Sequence, residues 1–206
     1  MRVTVIDYGA GNLASVLKAL RHLGVEPEVT AGDLAPIERA ERIVLPGVGH
    51  FAATQKLDEL GITNAVRAAI VRGTPFLGIC VGMQWLYSGS TEAPGCAGLG
   101  HFAESCERFA DGSEKVPHVG WNSIETRGGS RLLRDVPSGE YVYFTHSYKA
   151  PVTADAAAVA QYMEPFAAAV EFGNVMGVQF HPEKSGAAGL QILRNFIEWH
   201  PEEASC

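Results

Sequence analysis

Over the first eighty residues, short apolar runs alternate with stretches whose apolar positions recur at helical spacing, which predicts a β–α–β succession. Val3–Asp7 reads as a buried strand. Leu13, Val16, Leu17 and Leu20 share one face of a helix from about Asn12 to Leu23, with Asn12 as N-cap and Gly24 as stop. Glu26–Thr30 follows so soon that it pairs parallel to the first strand with the helix as crossover. Ile43–Leu45 is a third strand. Ile62, Val66, Ala69 and Ile70 mark a helix over Ile62–Arg72, ended by Gly73 and Pro75, which delivers the chain to an apolar run at Phe76–Cys80.

The second half reads differently. From Ser88 to Arg131 the chain is glycine-rich and irregular, with strand-like pieces at His101–Ala103 and Val119–Ile124. Tyr141–Tyr148 is an aromatic strand, a composition that favours cross-strand packing. Strands near Ala157–Tyr162, Ala168–Phe172 and Val175–Phe180 precede a closing helix at Leu190–Trp199.

Composition narrows the class. A chain of 206 residues with 47% hydrophobic and 19% charged residues is expected to fold as one domain spanning 1–206. Its net charge of −7 carries no long basic run, which argues against nucleic acid as partner. No apolar run is long enough to span a bilayer and the start shows no signal-peptide pattern, so the expected location is the cytoplasm. Cys80, Cys96, Cys106 and Cys206 are too sparse and unpatterned for a disulfide framework.

The chemistry gathers at two stretches. In Gly78-Ile79-Cys80-Val81-Gly82-Met83-Gln84 a lone cysteine sits between two glycines where a strand gives way to a helix. Such a corner lifts a side chain clear of the sheet, and the amides of the new helix stabilise a thiolate. A buried core thiol is the alternative reading, and a distant histidine is needed to decide. The second stretch, Val175–Phe180, delivers His181-Pro182-Glu183 at a strand end. Histidine can take a thiol proton near neutral pH, and a carboxylate beside it holds the ring's tautomer.

Other motifs compete. Gly9-Ala10-Gly11-Asn12-Leu13-Ala14 fits the dinucleotide fingerprint, with Glu28 at ribose-contact distance, but nothing later supplies hydride chemistry. Cys96, His101 and Cys106 offer three potential zinc ligands without metal-site spacing, so no metal is expected. His200-Pro201-Glu202 repeats the histidine tripeptide in a terminal tail where no geometry is held. Gly47 and Gly49, after the third strand, leave backbone amides uncovered at the carboxyl edge of the sheet, where an oxyanion hole is one use and an ordinary turn the other. Lys115–Asn122 reads equally as a partner-facing loop or a packed turn.

Together, Gly78–Gln84 and Gly177–Glu183 resemble the catalytic signature of the class I (triad) glutamine amidotransferases. Asp7–Asn12, Pro46–Gly49, Pro117–Asn122, Thr145–Tyr148 and Lys184-Ser185 make the chain similar, almost end to end, to the glutaminase subunits of imidazole glycerol phosphate synthases. The resemblance implies an α/β fold with a flavodoxin-like, open, twisted, mostly parallel sheet and an added antiparallel β portion. It implies glutamine hydrolysis through a thioester on Cys80, with His181 as base and acid and Glu183 orienting it, and no cofactor. Val81 with Val48 or Gly49 would supply the oxyanion hole, and Gly49, Gln84 and the Thr145-His146-Ser147 segment would seat L-glutamine. Ammonia would pass to a (β/α)₈-barrel cyclase subunit in a heterodimer making imidazole glycerol phosphate and the aminoimidazole carboxamide ribotide of histidine biosynthesis. Asn12, Trp121, Asn122, Tyr141 and Lys184 would face that partner. The glutaminase subunit of pyridoxal phosphate synthase, expected to carry a Gly-Gly-Glu-Ser loop where this chain has Gly47–His50, is the nearest alternative. A stand-alone amide or γ-glutamyl hydrolase and a non-catalytic nucleotide-binding module are the others.

Overall fold

The computed structural model describes residues 1–112 and 114–200. In chain order the elements are β1 (Val3–Ile6), α1 (Leu13–His22), β2 (Glu28–Thr30), α2 (Ala35–Glu38), β3 (Arg42–Gly47), α3 (Gln55–Glu59), α4 (Ile62–Val71), β4 (Phe76–Cys80) and α5 (Val81–Gln84). Then come β5 (Gly89–Ser90), β6 (Ser105–Arg108), β7 (His118–Thr126), β8 (Glu140–His146), β9 (Tyr148–Lys149), β10 (Ala156–Tyr162), β11 (Glu164–Phe172), β12 (Val175–Val178) and α6 (Gly186–Glu198).

Nine strands form one sheet in the order β2-β1-β3-β4-β12-β11-β10-β7-β8. From β2 to β12 neighbours are parallel, and from β12 to β8 they are antiparallel. The strands β5, β6 and β9 make a small second sheet. Every residue of β1, β3, β4 and β12 is buried, the pattern of parallel strands covered on both faces. On one face Val16 and Leu20 of α1 join Ile192 and Phe196 of α6; on the other, Ile62, Val66 and Ala69 of α4 pack with Phe51 and Trp85. In β7 and β8 burial alternates, and Trp121 and Tyr141 are left exposed.

The predicted α/β frame is present, with local departures. His101–Ala103 is not a strand: the amides of His101 and Phe102 both donate to the Leu86 carbonyl, and Phe102 fills the core from an irregular loop. The α6 helix starts at Gly186 rather than near Leu190. Its first turn is Gly186-Ala187-Ala188-Gly189, whose small side chains give no apolar stripe to read. A side chain at Gly189 would overlap the Pro182 carbonyl, so this turn is small because it is pressed against the segment carrying His181. Short helices α2 and α3 also carry too few turns to show a period.

Candidate active site

The strand order brings the two chemical stretches together. β12 lies parallel to β4 with Gly177 beside Gly78 and Val178 beside Ile79, so both chains leave the sheet at one edge, one through Cys80 and the other through Gln179 to His181. Cys80 sits at φ 54°, ψ −108°, outside the regions a non-glycine residue favours, which marks a strained corner that thrusts the sulfur forward. Gly82 makes the corner possible, because a β-carbon there would overlap the Leu45 carbonyl of the adjacent β3. The helix after the corner is only four residues long, so its dipole supplies less to the sulfur than the sequence suggested. Side chains must do most of that work.

His181 is the first. Its Nδ1 lies 2.9 Å from Glu183 Oε1, and both side chains are almost completely buried. The backbone is held as well: the His181 amide donates to the Tyr143 carbonyl at 2.9 Å, and Ser185 Oγ donates to the His181 carbonyl at 2.6 Å. Burial pushes the imidazole pKa down, yet hydrogen bonding and charge from Cys80 and Glu183 outweigh it and hold the group up at about 9. With Nδ1 committed to Glu183, Nε2 is buried without a conventional partner, free for proton exchange with the thiol.

A pocket of about 210 Å³ opens on the sulfur, lined by Gly49, Cys80, Val81, Gln84, Glu92 and the Thr145–Tyr148 segment. Thr145, Ser147 and Gln84 therefore stand where a substrate would lie. His146 contributes its backbone only, because its ring turns into the core: Nε2 is 3.1 Å from His118 Nδ1, and Nδ1 is 2.9 Å from the Tyr148 carbonyl. Burial pushes His146 down to about 3 and His118 to about 4, so the pair is neutral and packs between aromatic rings. The Val48 amide is likewise not aimed at the pocket. It donates to the Ala10 carbonyl at 3.1 Å, so in this conformation the Val48 amide is already engaged.

Two residues near the sulfur or its pocket carried no readable signal. Glu92 falls in the irregular segment after Ser88, and its Oε2 accepts from the Phe51 amide at 2.7 Å while its carboxylate borders the pocket. Gln179, fully buried, places Nε2 3.6 Å from Cys80 Sγ. It lies inside the stretch that identifies His181 and reads there only as a strand residue.

The candidate partner-facing residues flank the histidine side. Trp121 and Tyr141 are 56% and 58% exposed, and Lys184 Nζ lies 5.5 Å from the Tyr143 ring. Asn12 borders a narrow cleft that also reaches Gly47, Val48, His181 and Glu183. Asn122 is turned inward, donating to the Gln161 carbonyl at 3.0 Å and accepting from the Ser123 amide, so it ties β7 to β10 rather than offering a free side chain. The dinucleotide-like turn packs its Ala10 carbonyl on Val48, and Glu28 pairs with Arg39. Cys106 is buried against the Gln84 carbonyl while His101 stacks edge-on against Phe102; they form no common site with Cys96. Of the repeated tripeptide, His200 is exposed, and Pro201 and Glu202 lie outside the described residues.

Residues 4–199 match the family model for glutamine amidotransferase class-I. A Deinococcus radiodurans protein named imidazole glycerol phosphate synthase subunit HisH is 46% identical over 202 residues, covering 94% of this chain and 92% of its own. The subunit of that name from Yersinia pseudotuberculosis is 41% identical over 199 residues, covering 96% of this chain and all of its own. A crystal structure of a glutamine amidotransferase shares the fold at TM-score 0.74 and 22% identity, over 95% of this chain and 97% of that one. With Cys80, His181 and Glu183 gathered at one sheet edge, the chain belongs to the class-I glutamine amidotransferase family, among the HisH subunits of imidazole glycerol phosphate synthase.

Proposed function

We propose that this chain hydrolyses L-glutamine to L-glutamate and ammonia and hands the ammonia to a (β/α)₈-barrel cyclase subunit making imidazole glycerol phosphate. The observation that carries the reading is the Cys80–His181–Glu183 arrangement, with Cys80 lining a pocket of about 210 Å³ and the buried His181–Glu183 pair behind it. His181 Nε2 takes the thiol proton, and the thiolate attacks the side-chain amide carbon of glutamine. The resulting imidazolium protonates the leaving nitrogen, ammonia departs, and a thioester remains on Cys80. His181 then takes a proton from water, hydroxide adds to the thioester, and glutamate leaves as the sulfur is released. Glu183 keeps Nδ1 protonated throughout, which presents Nε2 to the sulfur. Glu92 is the natural partner for the α-ammonium of glutamine, being the carboxylate among the pocket's lining residues.

The oxyanion is assigned to the Val81 amide and to an amide of the Val48–Gly49 loop, where the Val48 amide can serve only after leaving the Ala10 carbonyl. Losing one such donor typically costs about 10²–10³ in rate, so the isolated chain is expected to be slow and the complex fast. Trp121, Tyr141, Lys184 and Asn12 are assigned to the partner face. Among the described residues no helix is long and apolar enough to cross a membrane, which fits a cytoplasmic enzyme.

Ammonia release should be measured on the chain alone and with the cyclase and its nucleotide substrate, with Cys80→Ala as the blank. Feeble activity alone and steep stimulation in the complex support the reading. Full activity alone, indifferent to the partner, replaces it with a stand-alone hydrolase.

A further inference from the structure

The buried side chains of Gln84 and Gln179 form a directed chain of hydrogen bonds that ends on the Cys80 sulfur. Gln84 Nε2 lies 2.9 Å from the Tyr148 carbonyl and 3.0 Å from Gln179 Oε1, and Gln179 Nε2 lies 3.6 Å from Cys80 Sγ. Chemistry sets the direction. A backbone carbonyl can only accept, so Gln84 must present its nitrogen to Tyr148. The second proton of that nitrogen commits the oxygen of Gln179, and this leaves Gln179 with only its NH₂ group to turn toward the sulfur. On the opposite side of the sulfur's hydrogen-bonding choices stands the Thr145 carbonyl, 3.9 Å away, which can accept from a neutral thiol but offers nothing to a thiolate.

We propose that Gln179 is a catalytic residue of this glutaminase: its amide N–H donates to the Cys80 thiolate and stabilises the ionised nucleophile, with Gln84 and the Tyr148 carbonyl fixing its orientation. Cysteine sulfur is a weak acceptor as a thiol and a strong one as a thiolate, so the donor favours the state in which the proton has moved to His181. It does so without adding charge to a buried site, where a second cation would disfavour the imidazolium. The four-residue α5 gives the sulfur little helix field, and the amide supplies what that short helix does not. The donor chain also runs through the pocket wall at Gln84 and Tyr148, so the ordering of the nucleophile and of the substrate wall is shared.

The inference rests on Cys80 being the nucleophile, and its test reads the sulfur directly, without glutamine. The rate of Cys80 alkylation by iodoacetamide is followed against pH in the wild type, Gln179→Met and Gln179→Glu, with Cys80→Ala supplying the background from other thiols. Gln179→Met removes the donor at similar volume. The alkylation inflection is expected to rise by about one to two units, the size of a hydrogen bond to a charged group. In the complex, kcat should fall about 10- to 100-fold while KM for glutamine moves less than about threefold. Gln179→Glu, which keeps an acceptor for Gln84, covers the case in which the methionine variant does not fold, and it should raise the inflection too. An inflection that stays at the wild-type position in a folded variant overturns the proposal and leaves Gln179 as packing. Glutamine turnover by Cys80→Ala would instead sink the underlying assignment of the nucleophile.

Discussion

His181, the histidine proposed as catalytic base, works against its own burial. A buried imidazole without an anionic partner loses its proton easily in this protein, as His118 and His146 show, whereas His181 is held at about 9 because Cys80 and Glu183 outweigh desolvation. The ring can therefore keep the proton it receives from Cys80 through neutral pH, and kcat/KM for glutamine is expected to hold until it declines above about 9. Glu183→Gln removes one of the groups that raise the pKa. The upper inflection should then fall below about 9, with kcat reduced by roughly 10² or more, since a neutral amide neither stabilises the imidazolium nor fixes the Nδ1-protonated tautomer. A pH–rate profile of that variant superimposable on the wild type would refute the role given to Glu183. All three members of the proposed triad could be named from the sequence, because a cysteine at a glycine-flanked corner and a His-x-Glu at a strand end are local patterns. Glu92 and Gln179 were not, because a lone acidic residue in an aperiodic loop and a polar residue in a strand look like many others.

At the scale of elements, the β4–α5 corner is where sequence and packing meet. The strained Cys80 backbone and the overlap that any side chain at Gly82 would make with the Leu45 carbonyl fix how closely α5 lies over β3. Gly82→Ala is expected to force that contact open, costing about 1–3 kcal/mol of stability and shifting the sulfur away from His181. A lowered urea midpoint together with loss of selective Cys80 alkylation would show it; an unchanged midpoint would mean the strand edge tolerates the move. The His118–His146 pair makes a second element-level prediction. Both folded pKa values, about 4 and about 3, lie below the ordinary 6.5, so the unfolded chain binds more protons in between. The pair's contribution is present above about 6.5 and is lost as pH falls through that range toward 4, which a urea midpoint followed against pH can read. Replacing both rings by Phe should flatten that part of the curve.

For the whole molecule, the antiparallel half of the sheet carries the histidine side of the site and the exposed aromatic residues on one continuous body. Trp121 on β7 and Tyr141 on β8 are exposed beside the segment that holds Lys184, which follows Glu183 directly. Trp121→Ala should weaken cyclase binding by about tenfold or more, as loss of an aromatic anchor does, while the urea midpoint moves little because more than half of the side chain is already exposed. Retained affinity would move the partner face elsewhere. Asn122→Ala is expected to behave in the reverse way, costing stability before affinity, because its amide ties β7 to the Gln161 carbonyl.

The sequence by itself determined the local chemistry and the main elements: which long apolar runs of the parallel half are strands, which amphipathic stretches cover them, where the chain turns sharply, and which residue types can carry a thiol–imidazole reaction. These follow from spacing and side-chain chemistry within a few residues. Only the tertiary structure decided what depends on partners far along the chain. It set β12 beside β4, so that Gln179 reaches a sulfur 99 residues away, turned the His146 ring into the core, tied Asn122 inward, and engaged the Val48 amide with Ala10. The orientation of a single amide or ring is set by whichever acceptor, donor or void the packed fold leaves beside it, and no spacing along the chain records that.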